Sequence, residues 1–346
     1  MNTSQLMEQA ALARAAMADA ARSTVVGNNA TPRFELFHAA SSLCSQKVRT
    51  VLAEKRLAWR SNDMLILSAM HAGRVVPAEH YFAPYVRLRL FAGREIGGAL
   101  VDGYSGRTSV ETEGFDPCAV PLLIDYETGR VIADSLRICR YLDDISPTPA
   151  RLVPEDEAAR AAVLRQAAIV DRIPNGALLY GFHPDADRRP EALKTVMQTV
   201  YDSKILALEA MIAANAGDAA LVAAYRAKIA KEQGGKAVCH DAGFQRATRT
   251  HVAGLLRDLE ATLADGSPWI VGGSFTLADV LWGVNLTRLA YLGLASLWDD
   301  LPAVGRYVQA LAQRPSLCAE VVRATLGSLP PSPYMAALGD CATMAV

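Results

Sequence analysis

The chain has 346 residues, 51% of them apolar and 21% charged, which suggests two folded domains and excludes a wholly disordered polymer. Lys and Arg number 35 against 36 Asp and Glu, a formal net charge of −1, so nothing global favours nucleic acid as a partner. No apolar run reaches the ~18–20 residues of a membrane span. Glu8, Arg14, Asp19 and Arg22 interrupt the alanine-rich start, so neither a signal peptide nor a membrane partner is expected, and the default location is cytoplasmic.

In chain order, residues 1–32 read as an N-terminal extension outside the core fold, an alanine-rich helical pattern that dissolves into Ser23–Asn29 and Pro32. Arg33–Phe37 is a predicted strand ending at His38. A helix follows from about Cys44 to Lys55, with Val48, Val51 and Leu52 on its apolar stripe, and Trp59–Leu67 is a second strand. Residues 68–118 hold the basic stretch Arg87-Leu-Arg-Leu and a glycine-rich run over 93–106. They show no sustained period and read as an insertion of mixed structure. Val120–Asp125 and Arg130–Ala133 form a predicted hairpin around Tyr126-Glu-Thr-Gly129, and Asp134-Ser135 opens a helix. Pro147-Thr-Pro149 closes a first domain of 33–146. Helical patterns over 156–182, 190–214, 219–233, 244–265, 276–293 and 301–313 make an all-α domain of 150–330, followed by a tail of 331–346.

Cys44 stands at a helix N-terminus directly after the first strand, where unpaired N–H groups and the helix dipole favour a thiolate. Ser42 is placed to cap that helix or to hydrogen-bond the sulfur, and Lys47 and Arg49 add positive potential. A thiolate there suits disulfide exchange or thiol conjugation, while the blander reading is an inert helix-start cysteine. Val120-Pro121 is an ordinary strand start or a cis-proline turn that offers main chain to an extended peptide. Asp134-Ser135 is a helix cap, or a site for the carboxylate and ammonium of an amino acid. Thr276-Leu-Ala-Asp279 is a capping box and reads as structural. The six cysteines (Cys44, Cys118, Cys139, Cys239, Cys318 and Cys341) show no C-x-x-C or zinc spacing and read as reduced thiols, with no metal expected. Asp185-x-Asp187 reads as a solvated turn and the pair Arg188-Arg189 as a surface feature. No phosphate-loop or dinucleotide fingerprint occurs.

Together and in this order, these segments resemble the soluble glutathione-transferase superfamily over about residues 33–325. The resemblance implies a thioredoxin-like α/β N-terminal domain, with its long insertion at about 68–118, and an all-α C-terminal domain. It implies glutathione as cosubstrate, gripped through the main chain at Val120 and Pro121 and at its γ-glutamyl end by Asp134 and Ser135. Phe34-Glu-Leu-Phe-His38, Cys44-Ser-Gln-Lys-Val-Arg49, Tyr85-Val-Arg-Leu-Arg-Leu90, Glu113-Gly-Phe-Asp-Pro117 and Asp134-Ser-Leu-Arg-Ile-Cys139 are similar to the group of chlorohydroquinone reductive dehalogenases within it. So are Leu178–Gly181 and Asp185–Glu191. That narrower likeness implies Cys44 as the catalytic thiol, supported by Ser42, and a halogenated hydroquinone as the second partner. Its implied route is an aryl–glutathione conjugate, then a Cys44–glutathione mixed disulfide. Arg172 and Tyr180 are candidates for the aromatic substrate, and a homodimer is the family's common state. Cys239 reads as structural, with a spare thiol for disulfide exchange as the alternative. Two other readings stay open: a glutathione transferase or lyase acting on another aromatic electrophile, and a non-catalytic glutathione-binding redox module.

Overall fold

The apolar runs at 34–38 and 122–125 form neighbouring central strands of a five-stranded sheet in the computed structural model, which describes residues 3–107, 109–148, 150–339 and 341. The first half contains α1 (Thr3–Ala15), β1 (Ser23–Val26), β2 (Phe34–His38), α2 (Leu43–Glu54) and β3 (Trp59–Asp63). A small hairpin of β4 (Ala69–His71) and β5 (Arg74–Val76) precedes α3 (Ala83–Ile96) and the single turn α4 (Val110–Glu113). Then come β6 (Leu122–Asp125), β7 (Arg130–Ala133) and α5 (Ser135–Ile145). The rest is helical: α6 (Glu157–Val170), α7 (Asn175–Tyr180), α8 (Glu191–Met197), α9 (Val200–Ala214), α10 (Ala219–Cys239), α11 (Ala242–Thr262), α12 (Leu277–Tyr291), α13 (Pro302–Gln313), α14 (Pro315–Leu317) and α15 (Ala324–Ser328). Among the described residues, no helix is long and apolar enough to cross a membrane.

Two compact units result, each discontinuous along the chain. The first holds the segment ending at Ser45 together with Leu57–Ile138 and Gln198–Ala237. Its sheet has the order β1-β3-β2-β6-β7, with β2 and β3 parallel and the other pairs antiparallel. Every residue of β2 and β6 is buried. Residues 3–32 are not an appendage to this unit, contrary to the sequence expectation. Leu6, Ala10, Ala13 and Met17 are buried in the cluster that holds Phe37, Leu122 and Ile124. Arg14 binds the buried Glu35 of β2 at 2.7 Å, and β1 pairs with β3 as an edge strand. An alanine-rich helix carries a weak apolar stripe, and its burial depends on partners that local periodicity does not reveal. Residues 68–118 likewise contain a regular 14-residue helix, α3, which packs against α1 and β7.

The second unit holds Gln46–Arg56, Cys139–Met197 and the chain from Val238 onward. Its centre is α12, buried on all sides and started by the expected capping box. The continuous helix expected over 156–182 is broken after Val170. Pro174 lacks an N–H and its ring would clash with the Val170 carbonyl, so a new helix begins at Asn175. Arg189 is buried rather than a surface feature: its guanidinium forks onto Asp187 at 2.7 and 2.9 Å and donates to the Leu179 carbonyl. The expectation of six reduced thiols also fails, because a disulfide joins Cys318 to Cys341. The two cysteines are 23 positions apart, and the chain's return over Pro333–Leu338 that brings them together has no signature in their spacing.

Candidate active site

The strand register brings three segments to one end of the sheet. Phe37 lies opposite Leu122, and Leu122 lies opposite Ala133. The chain therefore leaves β2 toward Cys44, enters β6 from Val120-Pro121 and leaves β7 into Asp134-Ser135, all at the same edge. With strands about 4.8 Å apart, β2 and β7 are separated there by about 10 Å, the span of three extended residues.

Cys44 is a free, half-buried thiol in the first turn of α2. The preceding turn is tightly held. Ser42 N–H donates to the Ala39 carbonyl at 3.0 Å, Ala39 N–H to Ser45 Oγ at 3.2 Å, and Ala40 N–H to Asp63 Oδ1 at 2.8 Å. Ser42 Oγ accepts from Ser45 N–H at 3.4 Å, so the serine occupies the capping position of α2. Capping and support of the sulfur are compatible, since a hydroxyl that accepts from Ser45 still has its own proton to donate. Lys47 is buried. Arg49, expected to add potential beside the thiol, is instead paired with Glu320 at 2.5 Å.

Val120 precedes the first paired residue of β6, and its peptide bond to Pro121 is cis. Side chains of α3 hold the chain on either side. Tyr85 Oη donates to the Ala119 carbonyl at 2.5 Å and Arg89 Nη1 to the Pro121 carbonyl at 2.9 Å. Between them, among the described residues, the Val120 N–H and carbonyl have no protein partner.

Asp134 caps α5, its Oδ1 accepting from Leu136 N–H at 3.0 Å and Arg137 N–H at 3.1 Å. Its φ of +76° places a non-glycine residue in the left-handed region, a conformation that costs on the order of 1–3 kcal/mol and clusters at ligand sites. Ser135 follows as the first helical residue, half-buried like Asp134. Val110 N–H reaches Asp134 Oδ2 at 3.4 Å and Arg137 binds Glu111 at 2.6 Å, so α4 of the insertion borders this corner. Sequence reasoning missed that role, and missed Arg89, whose basic stretch showed no period.

The remaining candidates lie in the second unit. Arg172 is exposed in the break between α6 and α7, and Tyr180 is the half-buried last residue of α7, so the two do not share one long helix. Cys239 is buried at the end of α10. Asp279 accepts from Thr276 N–H, Thr276 Oγ1, Ile270 N–H and Tyr307 Oη within 2.7–3.0 Å, the structural role expected of it. Among the described residues, no group of three or more His, Cys, Asp or Glu side chains gathers as a metal site.

Two family descriptions match this chain: the N-terminal domain of glutathione S-transferase over residues 41–145 and its C-terminal domain over 241–310. The chain belongs to the glutathione S-transferase family. The narrower likeness carried by the motifs is also found. The chain is 41% identical over 290 residues to the 2,5-dichlorohydroquinone reductive dechlorinase of Sphingobium indicum, covering 83% of this chain and 81% of that protein. It is 26% identical over 283 residues to the human ganglioside-induced differentiation-associated protein 1-like 1, covering 77% and 66% of the two. Among solved structures it is similar to the beta-etherase of Sphingobium sp. strain SYK-6, with a TM-score of 0.53, 16% identity, and coverage of 83% and 98%. The theta-class glutathione S-transferase of Xanthomonas axonopodis pv. citri, solved with glutathione bound, gives a TM-score of 0.50 and 18% identity, covering 85% and 100%. These likenesses establish the family's fold, a thioredoxin-like domain and a helical domain.

Proposed function

We propose that this transferase removes halogen reductively from halogenated hydroquinones, with glutathione as the reductant. The observation that carries the reading is the 41% identity to a reductive dechlorinase over 83% of the chain. In this reading an extended glutathione lies along the sheet end. Its cysteinyl main chain pairs with the unspent N–H and carbonyl of Val120 beside Pro121. Its γ-glutamyl carboxylate meets the N-terminus of α5 at Ser135, and its ammonium meets Asp134. Arg172 and Tyr180 are the candidates for the phenolic oxygens of the ring.

The chemistry then runs in three balanced steps. A glutathione thiolate adds to the ketonised ring and displaces halide, leaving an aryl–glutathione thioether. The Cys44 thiolate attacks the thioether sulfur, the aryl carbon departs with the bonding pair and takes a proton, and a Cys44–glutathione disulfide remains. A second glutathione thiolate attacks that disulfide, freeing Cys44 and forming glutathione disulfide. The ring gains two electrons and two thiols lose them. Cys44 supplies the attacking sulfur from the first turn of α2, and the Ser42 hydroxyl supports it.

The Cys44→Ser variant tests this directly. It should form the aryl–glutathione thioether and release halide, yet yield no dehalogenated hydroquinone. Normal dehalogenation by that variant would refute the role of Cys44, and a stable thioether from the wild-type protein would assign it instead to simple conjugation.

A further inference from the structure

Among the charged side chains buried inside the first unit, Asp116, Lys204, Lys228 and Glu232 form one cluster, each less than a tenth exposed. Lys228 Nζ bonds to Asp116 Oδ2 at 2.7 Å and lies 3.0 Å from Glu232, which also takes Lys204 at 3.1 Å. Lys231 reaches Asp116 Oδ2 and Glu113 Oε1 at 3.5 Å. Burial raises the pKa of both Asp116 and Glu232, but the nearby lysine charges outweigh it. The Asp116 carboxyl is held well below the usual range and Glu232 is brought down to about 2. The lysines come from α9 and α10, which lie between the two segments matching the family descriptions. A buried ionic cluster is a poor source of stability compared with apolar packing, and its best-attested use is to fix geometry.

What it fixes is the approach to Val120. Asp116 Oδ1 accepts from Cys118 N–H at 2.9 Å while Oδ2 holds Lys228. Arg89, buried with its guanidinium 5.1 Å from the Phe115 ring centre, clasps both ends of the segment, donating to the Asp116 carbonyl at 2.5 Å and the Pro121 carbonyl at 2.9 Å. Tyr85 takes the Ala119 carbonyl. The turn over 116–121 is thus pinned from α3 on one side and α10 on the other.

We infer that Arg89 and Lys228 are positioning residues for glutathione: they hold the 116–121 segment so that the Val120 main chain stands in register for the tripeptide. The inference rests on the proposed function, and one of its two residues, Lys228, lies outside the segments that the family descriptions cover. Calorimetric titration with glutathione alone tests it, together with steady-state kinetics at varied glutathione on the full chain. Lys228→Gln should raise both Kd and KM for glutathione roughly tenfold, the size of one misplaced hydrogen bond. kcat at saturating glutathione should change less than about threefold. Lys228→Arg, which keeps the charge, should restore most of the affinity. Asp116→Asn keeps the acceptor for Cys118 N–H and should move Kd in the same direction. It carries the test alone if Lys228→Gln does not fold. Folded variants with a lowered melting temperature but wild-type Kd would overturn the inference and leave the proposed function standing. A wild-type protein that does not bind glutathione would sink both.

Discussion

Asp134 and Asp279 both stand at a helix start, at α5 and α12, and their surroundings differ in a way that separates a proposed ligand corner from a core. Asp279 is fully buried, and four donors converge on its two oxygens. Burial raises its pKa, opposed by those donors. Asp134 is half-buried, sits at a φ of +76°, and stands one residue before the half-buried N-terminus of α5. The same side-chain chemistry thus serves two ends. A cap saturated by buried donors secures folding, whereas the half-buried cap at α5 stands where the proposed function puts the γ-glutamyl end of glutathione.

Breaking the sealed cap should have the largest effect. Asp279→Ala strands buried donors from Thr276, Ile270 and Tyr307, and denaturant titration should record a loss of more than about 3 kcal/mol. The remaining folded fraction should keep its specific activity. Retained stability would contradict the structural assignment.

The next effect concerns pH and sharpens the contrast between a saturated core group and a buried base with an unpartnered ring nitrogen. His80 is buried, with Nδ1 lacking a partner, and burial, then the charges of Lys228 and Lys204, lower its pKa to about 3 from an ordinary 6.5. The unfolded chain takes up this proton below pH 6.5 and the folded chain does not. Its contribution to stability is therefore complete above 6.5 and falls as the pH drops toward 3. Asp116 and Glu232, held low by lysines, lose their contributions only below about pH 4. Between pH 6 and 5 the His80→Gln variant should thus flatten the stability profile by up to about 1.4 kcal/mol per pH unit. An unchanged slope would show that His80 accepts its proton in the fold.

The smallest change in stability is expected at the open cap, where function should respond instead. Asp134→Gly removes the cap but relieves the left-handed backbone, so stability should shift by no more than about 1 kcal/mol. The KM for glutathione should rise roughly tenfold through loss of the carboxylate. A large loss of stability with unchanged KM would make this cap a second Asp279.

Much of the site was legible because it is local. A strand leading into a helix at Cys44, a strand opened by proline at Val120-Pro121 and a capped start at Asp134-Ser135 each span a few residues. The strand register that unites them follows from one hairpin and one crossover. What stayed hidden is long-range. The burial of α1 depends on Leu6, Ala10 and Ala13 meeting Phe37 and Leu122, and no period in an alanine-rich stretch announces that. Arg49 looked free until Glu320, 271 positions later, faced it. Arg189 looked exposed until Asp187 and the Leu179 carbonyl enclosed it. The Asp116–Lys228 pair joins residues 112 apart, neither of which is unusual by itself. Pro174 was readable in principle, since a proline inside a helical pattern is a break signal.

In the proposed reaction Cys44 takes glutathione from the aryl conjugate. Peptide mass spectrometry tests it on wild-type protein supplied with the purified aryl–glutathione thioether and no free glutathione, where the resolving thiol is missing. The expected result is a glutathione adduct on the peptide carrying Cys44, one equivalent of dehalogenated hydroquinone, and loss of the adduct when glutathione is added. Release of the hydroquinone with Cys44 unmodified would contradict it.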